Sequence, residues 1–148
     1  MRVVVQRVTH GEVAVDGATT GTINRGFVIL LGIRTGDTEE DALFLADKCA
    51  ALRIFNDEEG KMNRSLDDVG GSALVVSQFT LYGDARKGNR PGFSDAARPV
   101  EAIPLYETFV QRMRSTLGAE RVHTGTFGAH MLVTIGNDGP VTIIIEHP

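Results

Sequence analysis

The first quarter of the chain alternates short apolar, β-branched segments with turn residues, and this pattern restricts the fold more than any other feature. The segments are residues 3–8, 12–15, 18–23 and 27–33, and His10-Gly11, Asp16-Gly17 and Asn24-Arg25-Gly26 separate them. An Asp-Gly pair supplies the positive backbone angles that a two-residue hairpin turn requires. The pattern therefore predicts an antiparallel meander.

Two features in the rest of the chain predict helices. Thr38 is a good N-cap for a helix over residues 39–53, and apolar residues recur there at helical spacing. A second helix is predicted over residues 101–117, with Pro104 near its first turn and Gly118 at its end.

The remaining apolar runs predict strands. Residues 27–31 are apolar at consecutive positions, which is typical of a central strand covered on both faces. Residues 73–79, 130–135 and 141–146 are further strands, and residues 61–66 fit either a strand or a loop. We expect one α/β domain over residues 1–148, with curved, mostly antiparallel, barrel-like β-sheets and two main packed helices.

The distribution of charge indicates how the protein could bind nucleic acid. A formal net charge of -4 argues mildly against a protein that coats nucleic acid along its length. The one concentrated basic stretch contains Arg86, Lys87 and Arg90, with Arg98 a little further on. This stretch is either a solvated loop or a contact for RNA phosphates.

The cysteine content and the first residues predict a cytoplasmic protein. Cys49 lies on the apolar face of the first predicted helix, where a buried structural thiol is expected. The apolar run at residues 3–5 breaks at Gln6-Arg7, so it resembles neither a signal sequence nor a membrane span.

Familiar catalytic signatures are absent from the sequence. The four histidines, His10, His123, His130 and His147, do not occur at metal-ligand spacing. No serine lies in a G-x-S-x-G elbow, and the glycines form neither a P-loop nor a dinucleotide fingerprint. We therefore expect neither a metal nor a nucleotide cofactor.

Two short segments concentrate backbone and side-chain groups suited to a binding site. Residues 77–81, Ser-Gln-Phe-Thr-Leu, bring two hydroxyls and an amide to the end of a predicted strand. Residues 137–142, Asn-Asp-Gly-Pro-Val-Thr, place a glycine beside a proline, where main-chain atoms can face a ligand. Taken alone, the first segment could simply cap a strand and the second could be a hairpin turn.

The chain resembles the D-aminoacyl-tRNA deacylases over essentially its full length. Several segments match this family in order and spacing, which makes a chance similarity improbable. The matching segments are Arg7 and residues 61–63, 68–71, 77–82, 87–91 and 137–142.

This resemblance implies a homodimeric editing enzyme that cuts the ester between a D-amino acid, or glycine, and the 3′ end of tRNA. In the family, the Gly139-Pro140 bond is cis and reaches into the partner subunit's pocket, where main-chain carbonyls exclude L-amino acids. The resemblance also implies that Phe79 offers its N–H to the oxyanion, while Ser77 and Gln78 shape the adenosine and carbonyl end of the pocket.

The roles of three further residues stay partly open. No histidine is adjacent to Thr80 in sequence, so we favour positioning over nucleophilic attack, with the substrate's ribose 2′-OH helping to activate water. Arg7 would face the pocket rim or the dimer contact. Met131 would pack beside the Gly-Pro loop or fill the core.

Two other functions compete with editing. A non-catalytic module that binds the tRNA end through residues 86–90 predicts salt-sensitive binding without turnover. A general esterase predicts hydrolysis of small D-amino acid esters as readily as of aminoacyl-tRNA.

Overall fold

A computed structural model describes residues 1–148. Most of the chain lies in eight strands and two helices, and two 3₁₀ turns lie at Phe79–Tyr82 and Ala119–Arg121. In chain order the elements are β1 (Arg2–Val15), β2 (Ala18–Ile23), β3 (Gly26–Gly32), α1 (Glu39–Ala51), β4 (Phe55–Asn56), β5 (Met62–Arg64), β6 (Ser72–Ser77), α2 (Pro99–Leu117), β7 (Val122–Thr124) and β8 (Met131–Glu146).

Six strands form one mixed sheet. Its order is β2-β1-β3-β6-β7, and β8 pairs with β1 as well. The pairings of β1 with β2, β3 and β8 are antiparallel, whereas β3-β6 and β6-β7 are parallel. β1 changes its partner from β3 to β2 along its length while β8 follows its other edge, so the sheet curls on itself. The predicted α/β fold with a curved, barrel-like sheet and two packed helices is confirmed.

Apolar clusters lie on both sides of the central strand β3. Helices α1 and α2 pack against each other and against one face of the sheet. A cluster of 24 buried apolar residues lies between the helices and this face. Six buried residues form a second cluster, in which Val28 and Leu74 meet Val13 from the far half of β1. In β3, Phe27 and Ile29 belong to the first cluster and Val28 to the second. The prediction of a central strand covered on both faces is confirmed.

The first two predicted strands are one continuous strand. Asp16 and Gly17 have positive φ angles of 51° and 78° and form the predicted hairpin turn between β1 and β2. The turn predicted at His10-Gly11 is wrong, because β1 runs through it from Arg2 to Val15. A Cβ at Gly11 would lie 2.7 Å from Cγ2 of Val28, so this glycine permits close packing of the curled sheet.

The last two predicted strands are also continuous, because both pair with β1. Gln6 is opposite Thr142 and Val8 is opposite Asn137, so four residues of β8 lie opposite the single residue Arg7. We call these four residues, 138–141, the Gly-Pro bulge. The alternative interpretation of this segment as a hairpin turn is wrong, since the chain leaves and rejoins the same strand partner.

The helix boundaries differ from prediction by about one turn or less. Thr38 caps α1 in a capping box with Asp41, and α1 ends at Ala51 instead of Arg53. α2 begins at Pro99, two residues early, which places Pro104 in its second turn, and Gly118 follows its end with φ 104°. Neither helix has the length and apolar character needed to cross a membrane.

Smaller differences concern the strands near the site. β6 ends at Ser77, and the predicted strand residue Phe79 instead begins a 3₁₀ turn. The ambiguous segment contains the three-residue strand β5, which pairs with β4. Cys49 is buried as predicted, and burial raises the pKa of its thiol to about 12.

Gly26 gives a direct test of how closely β3 and β6 approach. A Cβ there would lie 1.8 Å from the carbonyl oxygen of Ser72, so we expect Gly26→Ala to lower the free energy of unfolding by about 2 to 3 kcal/mol. Nothing lies within 4 Å of a Cβ at Gly92, so Gly92→Ala should change the free energy of unfolding by less than about 0.5 kcal/mol. Equal denaturant midpoints for the two variants would contradict this account.

Candidate active site

A cavity of about 540 Å³ opens between the end of β6, the start of α2 and the start of β8. Its apolar wall includes Leu31, Val76, Phe127 and Val133. Polar groups come mainly from residues 77–80, and Arg98 and His130 add two further polar side chains. An apolar pocket with a few convergent polar groups is the usual form of a small-ligand site.

The polar wall forms where β6 turns into the 3₁₀ turn. Ser77 still pairs with Leu31, and the Gln78 N–H donates to the Leu31 carbonyl at 2.8 Å. The first hydrogen bonds of the turn come from the N–H groups of Leu81, to Gln78, and Gly83, to Thr80. The N–H groups of Phe79 and Thr80 precede these bonds and are left free by the turn.

The side chains of this wall are held in part by one another. The Gln78 amide donates to the hydroxyl oxygen of Thr80, which leaves the Thr80 O–H able to donate elsewhere. The Phe79 ring is 57% exposed and meets Phe93 edge to face, with ring centroids 5.1 Å apart. The hydrogen-bond partner of Thr80 is thus the Gln78 amide, which is not a base and cannot accept the hydroxyl proton.

Met131 lies against the apolar core, which is one of the two environments predicted for it. The Met131 side chain lines the cavity and also packs against the second apolar cluster. A Cβ at Gly125 would lie 2.5 Å from the Met131 sulfur, so the backbone at Gly125 packs closely against this side chain.

The other predicted residues, Arg7, Gly139 and Pro140, do not line this cavity. Arg7 is only 8% exposed and donates to the Ile54 carbonyl at 2.7 Å. Its Nε lies 3.3 Å from the carbonyl oxygen of Asp138 and 3.3 Å from the carboxylate of the same residue. Arg7 thus ties the Gly-Pro bulge to the body of the protein.

Asn137 closes the base of the bulge. Its Nδ2 donates to the carbonyls of Arg7 and Val141, each at 3.0 Å. Within the bulge Gly139 has φ 117°, and its bond to Pro140 is cis. Gly139 and Pro140 are exposed, so their main chain is open to a neighbouring molecule.

The predicted site residues therefore fall into two groups in one chain. Ser77, Gln78, Phe79, Thr80 and Met131 meet in the cavity, while Arg7, Gly139 and Pro140 meet at the Gly-Pro bulge.

Sequence reasoning gave no site role to three residues that line the cavity, Phe93, Arg98 and His130. Arg98 was noted only as part of the basic stretch, and no local signal marks Phe93. His130 immediately precedes Met131 but makes no hydrogen bond to Thr80. No three histidine, cysteine, aspartate or glutamate side chains lie close enough together to hold a metal ion.

The basic stretch is partly neutralised. Arg86 donates from Nε and from its terminal nitrogen to both carboxylate oxygens of Asp84, each at 2.8 Å. These bonds lower the pKa of Asp84 to about 2. Lys87 and Arg90 are exposed and form no ion pair, so they carry the free charge of this loop.

Comparison with known proteins identifies the family. The sequence-family model described as D-Tyr-tRNA(Tyr) deacylase matches residues 4–146 of this chain. The chain belongs to the D-Tyr-tRNA(Tyr) deacylase family. A D-aminoacyl-tRNA deacylase of Chloroherpeton thalassium is 56% identical over 148 residues, which cover 100% of this chain and 97% of that protein. A D-aminoacyl-tRNA deacylase of Thermus aquaticus is 58% identical over 99% of this chain and 95% of that protein.

Solved structures share the fold of this deacylase family member. A c-Myc DNA Unwinding Element Binding Protein is 43% identical with a TM-score of 0.94, covering 100% of this chain and 99% of that one. A probable eukaryotic D-amino acid tRNA deacylase is 20% identical with a TM-score of 0.83, covering 97% of both chains, and supports the fold alone. The predicted family and the predicted enzyme class, a deacylase, are confirmed.

Proposed function

We propose that this deacylase hydrolyses the ester between a D-amino acid, or glycine, and the 3′-terminal ribose of tRNA. The observation that carries this proposal is the pair of free N–H groups at Phe79 and Thr80, on the wall of an apolar cavity in a chain of this family. Residues 1–148 act as a single domain in this reaction. A tRNA substrate places the enzyme in the cytoplasm.

The chemistry requires little covalent assistance. An aminoacyl ester is already activated, so the enzyme needs to orient the carbonyl, stabilise the oxyanion and direct a water molecule. The Phe79 N–H serves as the oxyanion donor, because a main-chain donor fixed by a turn needs no reorganisation during the reaction. Ser77 and Gln78 hold the adenosine and carbonyl end of the substrate.

Thr80 positions the substrate and does not attack it. A threonine nucleophile needs a base that accepts its proton, and the partner of Thr80 is the Gln78 amide, which is a donor. His130 lines the same cavity but makes no hydrogen bond to Thr80. The ribose 2′-OH of the substrate therefore assists the water.

Chiral selection comes from a second copy of the chain. Gly139 and Pro140 are exposed and lie outside the cavity of their own chain, so each cavity is completed by the Gly-Pro bulge of a partner. Main-chain carbonyls of the bulge face the substrate Cα, where they block an L side chain and leave a D side chain free. Glycine has no side chain to block and is accepted. Met131 packs beside the inserted bulge.

A surface for this homodimer lies on the outer face of the sheet. Ile144 is 65% exposed, and it lies in one cross-strand row with Val4 and Leu30. Polar pairs border the row on both sides, the Gln6-Thr142 hydrogen bond and the Arg2-Glu146 ion pair. An apolar strip with a polar border is typical of a protein interface.

One observation favours a second candidate, a module that binds a nucleic-acid end without turnover. Lys87, Arg90 and Arg98 carry exposed positive charge, and Arg98 lines the cavity. A 43% identical relative is described as binding a DNA element. This candidate predicts salt-sensitive binding of tRNA and no release of amino acid. The hydrolysis assay below separates the two functions.

The oxyanion assignment is tested by release of labelled amino acid from D-tyrosyl-tRNA and L-tyrosyl-tRNA. We expect hydrolysis of the D form alone. Phe79→Pro removes the main-chain donor and should lower kcat by about 10² to 10³. Phe79→Ala keeps the N–H and is the matched control for loss of the ring at saturating substrate. Binding of both substrates without hydrolysis by the unaltered protein would favour the binding module.

The role of Thr80 is tested with Thr80→Ala and Thr80→Ser. Loss of one positioning hydrogen bond should lower kcat/KM by about fivefold, and Thr80→Ser should restore it. Loss of a nucleophile would instead remove more than about 10⁴ of the rate. An acyl-enzyme trapped on Thr80 would show that Thr80 attacks the ester.

Completion of each cavity by a partner is tested by mixing two defective chains. In a dimer of Phe79→Pro with Gly139→Ala, the intact cavity of the second chain receives the unaltered bulge of the first. We therefore expect D-selective hydrolysis from co-expressed chains, although Gly139→Ala alone has a changed ratio of D to L hydrolysis. Ile144→Glu in both chains should prevent dimer formation in sedimentation, whereas Ile103→Glu on α2 should not. Mixed dimers no more selective than Gly139→Ala alone would contradict cross-subunit completion.

A further inference from the structure

Two exposed aromatic rings form the rim of the cavity. Phe79 and Phe93 are 57% and 38% exposed, and neither belongs to the two apolar clusters. Their planes make an angle of 70°, so the edge of one ring meets the face of the other. Such a pair leaves ring faces open to a further flat, apolar group.

Phe93 is held in place by hydrogen bonds on both sides. Gly92 exchanges two main-chain hydrogen bonds with Asp84, at 2.8 and 2.9 Å. The Asp95 carbonyl accepts from Thr35 at 3.0 Å, and the Ala96 N–H donates to the Phe93 carbonyl at 3.1 Å. A ring presented by an ordered segment loses little conformational entropy when a ligand binds.

Positive charge lies beside the rings. The Arg98 side chain is 78% exposed, and its nearest carboxylate, on Glu101, is 3.8 Å away. Arg98 lines the cavity and immediately precedes the first residue of α2, Pro99, where the helix dipole adds positive potential. At 3.8 Å the contact with Glu101 is longer than a hydrogen bond, so the guanidinium can still donate to an anion.

We propose that this rim binds the nucleotide that precedes the terminal adenosine of the RNA, with its base against Phe93 and its phosphate on Arg98. The inference rests on the proposed function, in which the terminal adenosine and its amino acid occupy the cavity. A cavity of about 540 Å³ suits one small ligand, so the preceding nucleotide lies outside it, on the rim.

Aromatic stacking and a single phosphate contact suit this nucleotide. An aromatic face accepts any base, and stacking is tolerant of sequence. Lys87 and Arg90 are exposed on the loop that the Asp84-Gly92 bridge closes next to Phe93, and they add positive charge on this side of the rim. The rim would thus distinguish an RNA end from a single aminoacylated adenosine, because only the RNA carries a preceding nucleotide.

The test compares two substrates, D-tyrosyl-tRNA and D-tyrosyl-adenosine, which carries no preceding nucleotide. Phe93→Ala and Arg98→Gln should each lower the ratio of kcat/KM for D-tyrosyl-tRNA to kcat/KM for D-tyrosyl-adenosine by at least about fivefold. Arg98→Gln should also reduce the slope of log kcat/KM for tRNA against log salt by about 0.7. Phe44→Ala and Arg53→Gln, an exposed aromatic and an exposed arginine away from the cavity, are the matched controls and should leave the ratio unchanged.

Two results would overturn the proposal. Equal losses on both substrates would show that these residues serve the cavity, and an unchanged ratio would show that the rim contacts no nucleotide. If the unaltered protein hydrolyses neither substrate, the proposed function fails, and the rim is then judged by binding of a labelled CCA trinucleotide. Undiminished binding by both Phe93→Ala and Arg98→Gln would refute the rim contact, and weaker binding by both would support it.

Discussion

Strand β1 determines where the other parts of this structure lie, because three strands hydrogen-bond to it. β8 follows one edge for nearly its whole length, whereas β3 and β2 share the other edge. The change of partner falls between Val8 and Gly11, next to the point where β8 departs from regular pairing. Arg7 lies at this point, and its guanidinium and its carbonyl both contact the departing segment. The position of the Gly-Pro bulge is therefore a consequence of how β1 is shared.

Features set by neighbouring residues could be predicted from the sequence. The Asp16-Gly17 turn, the Thr38 cap and the consecutive apolar residues of β3 each act within a few positions of the chain. Features set by distant contacts were mispredicted. Gly11 looks like a turn residue until the closeness of Val28 is known, and the continuity of β8 depends on a strand some 130 positions earlier.

The same division applies to the candidate site. The polar segment at residues 77–80 is local, and both its strand end and its motif are visible in the sequence. Phe93, Arg98 and His130 reach the cavity only because the chain returns to it in two further segments, around residues 93–99 and 127–131. The separation of Gly139 and Pro140 from the cavity also depends on the tertiary structure. Their spacing in the sequence does not indicate whether they face their own cavity or another molecule.

The Gly-Pro bulge has a further consequence for solubility. β8 is an edge strand of 16 residues, paired only with β1, and a long regular edge offers a row of free donors and acceptors to any other strand. The bulge interrupts this row near its middle, and Pro140 contributes no N–H. The register shift at the bulge means that a single foreign strand cannot pair regularly along the whole of β8. The segment that we propose presents main-chain atoms to a substrate therefore also shortens the regular edge that a foreign strand could join.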